Sequence, residues 1–199
     1  MNQSTRYWLA GLTALCAVTL CQANDPHAHH RQQMIPGSVR SIQDYRIPDL
    51  KLVRDDGVTV AISDLFETDR PVVVSFIFTS CSAICPVLTA TLAQTRQRLG
   101  PDADRVRMVS VSIDPEHDTP ARLRDYARQF QASGDWRFYT GQRAAIVAMQ
   151  KAFNAYRGDK NNHAALALIR PAGQSRWVRL EGFASAADLL SEIKRLPES

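Results

Sequence analysis

Beyond its N-terminus, the 199-residue chain has no stretch approaching eighteen unbroken apolar residues, which excludes a polytopic membrane protein. Cysteine is scarce: four in all, too few for a disulfide scaffold, so position matters more than number. Neither sign of charge prevails, with 24 lysines and arginines against 20 aspartates and glutamates, a formal net charge of +4. The arginines, Arg96, Arg98, Arg105 and Arg107 among them, are scattered and interleaved with acids. That pattern reads as a solvated face and not as a track for nucleic acid. No internal repeat and no second domain is visible. The remaining composition, 45% hydrophobic and 22% charged, is that of a globular chain and excludes a disordered or fibrous one. Its length suits one domain, or one domain with an appendage.

The appendage is at the N-terminus. Arg6 supplies a positive charge, and residues 7–20 are apolar, a length that suits a signal-peptide core. A membrane-spanning helix needs about 20 residues. Small residues at the −3 and −1 positions of Cys21-Gln22-Ala23 make residues 1–23 an expected export signal cut after Ala23, with an uncleaved inner-membrane anchor as the alternative. Leucine precedes both Cys16 and Cys21, which argues against lipid attachment. Cleavage would leave 176 residues and two cysteines, Cys81 and Cys85, in the oxidising periplasm. Two thiols four residues apart in such a compartment form a disulfide, bind a metal, or alternate between the two.

Residues 24–45 show no periodicity and are expected to be a poorly ordered leader, its His27, His29 and His30 a polar linker or weak metal ligands. Globular patterning begins near residue 46 and is expected to run to 199. Leu50–Val53 and Val58–Ile62 flank the turn signal Asp55-Asp56-Gly57 and read as a hairpin. Val72–Phe78 and Val106–Ile113 read as strands covered on both faces. A helix is expected to open at Pro86, with Leu88, Leu92 and Leu99 inward. Another opens at the Thr119 cap and Pro120, with Leu123, Tyr126, Ala127 and Phe130 on one side. Trp136–Tyr139 reads as a strand, and Ile146, Met149, Phe153 and Tyr156 mark a helix. Two strands, Ala164–Ile169 and Trp177–Leu180, precede a final helix that opens with the capping-box pair Ser185 and Asp188. The order predicts an α/β sandwich of two or three layers around a mixed sheet.

Cys81-Ser-Ala-Ile-Cys85-Pro86 leaves a buried strand and enters a helix, at the sheet edge where α/β proteins favour ligand sites. A thiol at or beside a helix N-cap has its thiolate stabilised by unpaired N–H groups and the helix dipole. A structural disulfide is the bland alternative, and a loop this small gains little from one. Peroxiredoxins place Thr three residues before the reactive Cys, where this chain has Phe78 before Cys81 and Ser82 before Cys85. Asp114 and Asp118 follow the next strand; they read equally as turn and cap residues or as support for a site.

Cys81–Pro86 after an apolar strand resembles the copper-site loop of the SCO/SenC proteins, thioredoxin-fold copper chaperones of cytochrome c oxidase assembly. Ser110-Val-Ser-Ile-Asp114-Pro115-Glu-His-Asp118-Thr119-Pro120 resembles that family's second signature, and His163 lies where the family carries its ligand histidine. The resemblance covers residues 46–196 and departs from the common pattern at Ser82-Ala83 and Ala164. It implies a thioredoxin-like sandwich with a mixed central sheet and an N-terminal β-hairpin. It also implies copper, as Cu(I) or Cu(II), held by Cys81, Cys85 and His163, a soft low-coordinate set. Structural zinc would want a fourth ligand, while a Cys2His zinc with an open position remains the alternative metal. Asp114 and Asp118 would orient His163 or form an acidic rim, with His117 a remoter ligand candidate. The implied partners are a copper-receiving oxidase subunit or related cuproenzyme and a periplasmic thiol reductant. The second expectation is a thiol–disulfide oxidoreductase acting on the recipient's cysteines. Against it stand the three-residue spacer and the absence of proline between Pro120 and Pro171, where thioredoxins carry their cis-proline.

Overall fold

Val72-Val-Val-Ser-Phe-Ile77 carries no charge, as a strand covered on both faces requires. In the computed structural model, which describes residues 37–195, all six of these residues are buried. They form β4 in a series of eight strands: β1 (Val39–Gln43), β2 (Lys51–Arg54), β3 (Thr59–Ala61), β4 (Val72–Ile77), β5 (Arg107–Ser112), β6 (Trp136–Thr140), β7 (Leu166–Arg170) and β8 (Trp177–Glu181). The helices are α1 (Ile62–Phe66), α2 (Ile84–Leu99), α3 (Pro120–Gln129), α4 (Arg143–Ala152) and α5 (Ala186–Ile193). One sheet takes all the strands in the order β1-β8-β7-β4-β5-β6-β2-β3. The three strands β4, β5 and β6 are parallel and every other pairing is antiparallel, so the sheet is mixed, as expected.

Alternation along β4 divides the core in two. Val73 and Ile77 pack with Leu88 and Leu92 of α2, Leu123 of α3 and Leu189 of α5. Val72, Val74 and Phe76 face the other way, against Ile62 and Phe66 of α1 and Ile146 and Met149 of α4. Helices therefore cover both faces, and the sandwich has three layers. On the α1/α4 side, Phe66, Phe153 and Trp177 meet edge to face with ring centroids 5.2–6.0 Å apart, a favoured geometry for aromatic pairs.

Local signals in the sequence match the observed caps. Thr119 caps α3, its hydroxyl accepting from the Arg122 N–H, with Pro120 in the first turn. Ser185 and Asp188 close a reciprocal capping box on α5. The expected hairpin is β2–β3, with Leu52 opposite Val60.

Four details differ from the sequence reading. Residues 24–45, unpatterned in sequence, contain β1, which runs antiparallel beside β8 and is tied to α5 by an Arg40–Glu192 ion pair of 2.7 Å. Its mostly exposed residues offer no apolar alternation to read. The strand expected through Ile62 ends at Ala61, and Ile62 begins α1, a helix too short to display a period. Helix α2 starts at Ile84, two residues before Pro86, because proline is tolerated throughout a first turn that needs no N–H. Helix α4 stops at Ala152, leaving Phe153 as its C-cap and Tyr156 beyond. The expected signal at 1–23 and the histidines of the leader lie outside the described residues. Among those described, no helix is long and apolar enough to cross a membrane.

Candidate metal centre

Sheet pairing assembles the site at the C-terminal end of β4. In parallel register Ile77 lies opposite Ser112, which sets the Asp114–Asp118 loop beside the loop that carries Cys81. On its other side β4 runs antiparallel to β7, with Ser75 opposite Ala167. Moving off the end of β4 toward Phe78 therefore means moving back along β7 toward His163. The antiparallel insertion of β7 brings an imidazole to the Cys85 thiol, 78 residues away in sequence.

Cys81 sits half-buried in the loop, whereas Cys85, in the first turn of α2, is fully buried and His163 is 8% exposed. Both cysteines are free thiols. The two sulfurs and an imidazole nitrogen all lie within 4.8 Å of one another, and Cys85 Sγ is 3.1 Å from His163 Nε2. Backbone donors ring the sulfurs: the Phe78 N–H donates to Cys85 Sγ and the Cys85 N–H to Cys81 Sγ, each at 3.4 Å. The Phe78 ring meets His163 edge-on, with centroids 5.6 Å apart.

The two thiols differ electrostatically. Burial pushes the Cys81 thiol up, but the backbone N–H groups of Cys85, Ala83 and Ile84 outweigh it and hold the pKa below the ordinary thiol value. Burial pushes the Cys85 thiol well up, and the neighbouring Cys81 adds to the rise. Burial lowers the His163 pKa, so its imidazole is neutral at pH 7. A half-buried thiol of lowered pKa, a proton-holding buried thiol and a neutral imidazole form a soft, low-coordinate donor set. That set fits one copper ion, or it can close into a disulfide.

Asp118 is fully buried and reaches neither thiol nor imidazole. Its carboxylate accepts from the Thr79 N–H at 3.0 Å, the Ser112 hydroxyl at 2.6 Å and the Thr79 hydroxyl. It therefore braces the loop two residues ahead of Cys81, and the capping role belongs to Thr119. Asp114 does not contact His163 either. It pairs with Lys160 Nζ at 2.6 Å, in the turn just before His163, and its own N–H donates to Ser112 Oγ. His117 lies on the surface against Arg122 Nη1, outside the cluster. Sequence reasoning missed Phe78, Thr79, Ser112 and Lys160. The first ends an apolar run and the others are single polar residues, so only the three-dimensional pairing marks them.

Comparisons with known proteins agree with this geometry. The SCO1/SenC family profile matches residues 43–196. The SCO1 protein homolog of Bacillus subtilis is 34% identical over 98 residues, 49% of this chain and 50% of that protein. The chain thus spans half the length of that relative. Among solved structures, BsSco, described as a Sco-family cytochrome c oxidase assembly protein with a disulfide switch, superposes with a TM-score of 0.65 at 25% identity, over 78% of this chain and 95% of that one. Bradyrhizobium japonicum ScoI with copper bound superposes with a TM-score of 0.62 at 23% identity, over 74% and 97%, and shares the fold. With a profile match spanning most of its length and three motifs converging at one sheet edge, the chain belongs to the SCO1/SenC family.

Proposed function

We propose that the chain is an exported metallochaperone. It holds one copper ion at Cys81, Cys85 and His163 and passes it by ligand exchange to a respiratory cuproenzyme, with the binuclear copper site of cytochrome c oxidase as the acceptor. The observation that carries this reading is the convergence of two thiols and one imidazole within 4.8 Å at the rim of a rigid sheet. Two sulfurs and a nitrogen satisfy Cu(I) at low coordination and leave room for an incoming ligand. The copper-bound relative and the oxidase-assembly relative support the reading. Loading needs both thiols reduced, which implies a thiol reductant in the same compartment. Residues 7–20 direct export and are either removed or kept as an anchor.

A thiol–disulfide exchange role is the second reading, favoured by the contrast between an accessible Cys81 of lowered pKa and a buried Cys85 of raised pKa. Transfer distinguishes the two. Reduced chain loaded with one Cu(I) and mixed with a dithiol acceptor domain should surrender the metal while its own cysteines stay reduced. Copper kept by the chain, or a disulfide moved in place of the metal, would contradict delivery. Uptake should also strengthen as pH rises. Binding expels thiol protons, most of all from Cys85, whereas the neutral His163 has none to lose near pH 7. An affinity that rises by about one to two decades per pH unit between pH 6 and 8 is expected in the same titrations.

A further inference from the structure

The turn that carries His163 borders open space on one side. On its far side, between residues 114–116, α4 and residues 155–161, lies a cavity of about 330 Å³ that His163 helps to line. On the thiol side the ring meets Phe78 edge-on and lies 3.1 Å from Cys85 Sγ, while the cavity borders its turn on the other. Yet the ring must sit within about half an ångström of a working position to serve a metal. The open space beside the turn leaves it room to shift unless a bond from outside the turn holds it.

We infer that Lys160 is the positioning residue that does so, clamping the histidine turn onto the cysteine side of the site through Asp114 and Phe78. Lys160 is three residues ahead of His163, in the short Lys160–Asn162 turn whose Lys160 carbonyl accepts from the His163 N–H at 3.2 Å. Its ammonium lies 2.6 Å from Asp114 Oδ2 and 5.5 Å from the Phe78 ring centroid, within cation–π range. Both anchors belong to the thiol side. Phe78 donates its N–H to Cys85 Sγ and accepts the Cys81 N–H through its carbonyl. The Asp114 N–H donates to Ser112 Oγ, and Ser112 donates to Asp118, which holds Thr79. A continuous polar path thus runs from the histidine turn to the loop bearing Cys81, and Lys160 is its only link across the gap between the 112–118 loop and the 160–163 turn among the bonds described.

The pair is half open to water, with Lys160 40% and Asp114 12% exposed at their side chains. Exposed pairs contribute little to global stability. Its effect should therefore be local, on the His163 turn. In the general behaviour of metal sites, partners that orient a ligand are worth 10–100-fold in affinity.

The test uses the full reduced chain and three variants, Lys160→Met, Asp114→Asn and the double, with Lys160→Arg as the conservative rescue. In metal-free protein, hydrogen exchange across residues 155–165 should speed up in Lys160→Met and return toward wild type in Lys160→Arg, with melting temperatures unchanged within about 3 °C. With Cu(I) against a competing chelator, each single variant should bind about tenfold more weakly, and the double no more weakly than either single. Unchanged exchange in Lys160→Met, or single effects that add in the double, would overturn the assignment. The affinity arm rests on the copper reading and the exchange arm does not. A wild-type chain that fails to hold Cu(I), yet shows the exchange pattern, would sink the copper reading and leave the clamp standing.

Discussion

Cys85→Ser is expected to abolish tight Cu(I) binding, weakening it by at least about a thousandfold, about 4 kcal/mol. Cys85 is fully buried and its sulfur lies between the Phe78 N–H and the His163 ring. Serine fills nearly the same space, and its hydroxyl can accept the same N–H, so the fold should survive. What is lost is the soft thiolate: a hydroxyl stays protonated and is a poor partner for Cu(I). Competitive titration with a Cu(I) chelator measures the loss, and circular dichroism confirms the fold. Affinity within threefold of wild type would mean that the buried thiol is not a ligand. The half-buried partner should respond similarly in Cys81→Ser, because two remaining donors cannot hold the ion as three do.

Asp118→Ala should destabilise the domain by about 3 kcal/mol. The carboxylate is 0% exposed and accepts from the Thr79 N–H, the Thr79 hydroxyl and the Ser112 hydroxyl. Hydrogen bonds to a charged acceptor are worth more than neutral ones, and removing the acceptor strands three donors at the ends of β4 and β5. For a domain of this size the melting temperature should fall by about 6–12 °C. The hydroxyls can turn to other partners, but the Thr79 N–H cannot, so the loop leading to Cys81 should loosen as well. Copper affinity is expected to fall about 10–100-fold alongside stability. Asp118→Asn keeps the shape and one acceptor oxygen and should show about half the thermal loss. A melting temperature within about 2 °C of wild type in Asp118→Ala would show that the brace carries no load.

Much of the fold was legible because its signals are local. Val72–Ile77 has the uncharged, largely apolar run of a strand covered on both faces, and Thr119-Pro120 and Ser185…Asp188 state where two helices begin. The parts that escaped depend on partners far away in the chain. Strand β1 is held by β8 and by the Arg40–Glu192 pair, 152 residues apart in sequence. Helix α1 owes its place to Phe66 lodging against Phe153 and Trp177, which no five-residue window reveals.

The site divides in the same way. Cys81 and Cys85 announce themselves by spacing and by the strand–helix boundary they occupy. His163 could be paired with them only through a family resemblance, because its approach depends on β7 entering antiparallel beside β4. The two aspartates stand out in the sequence, but the partners that each one holds do not. Each read equally as a turn and cap residue or as support for the site; in the fold one braces Thr79 and the other grips Lys160. Lys160 sits in the polar run Lys160-Asn-Asn162, where one charged residue looks like any other until the fold sets it beside Asp114.

The most direct test of the three-donor site is a Cu(I) titration of the reduced chain, without oxygen and against a competing chelator, run beside His163→Ala. Three converging donors predict one copper per chain, and a loss of at least about tenfold, about 1.4 kcal/mol, when the imidazole is removed. Binding that is weak in the wild-type chain, or equally tight without His163, would contradict the copper centre and leave the Cys81–Cys85 couple as the seat of the chemistry.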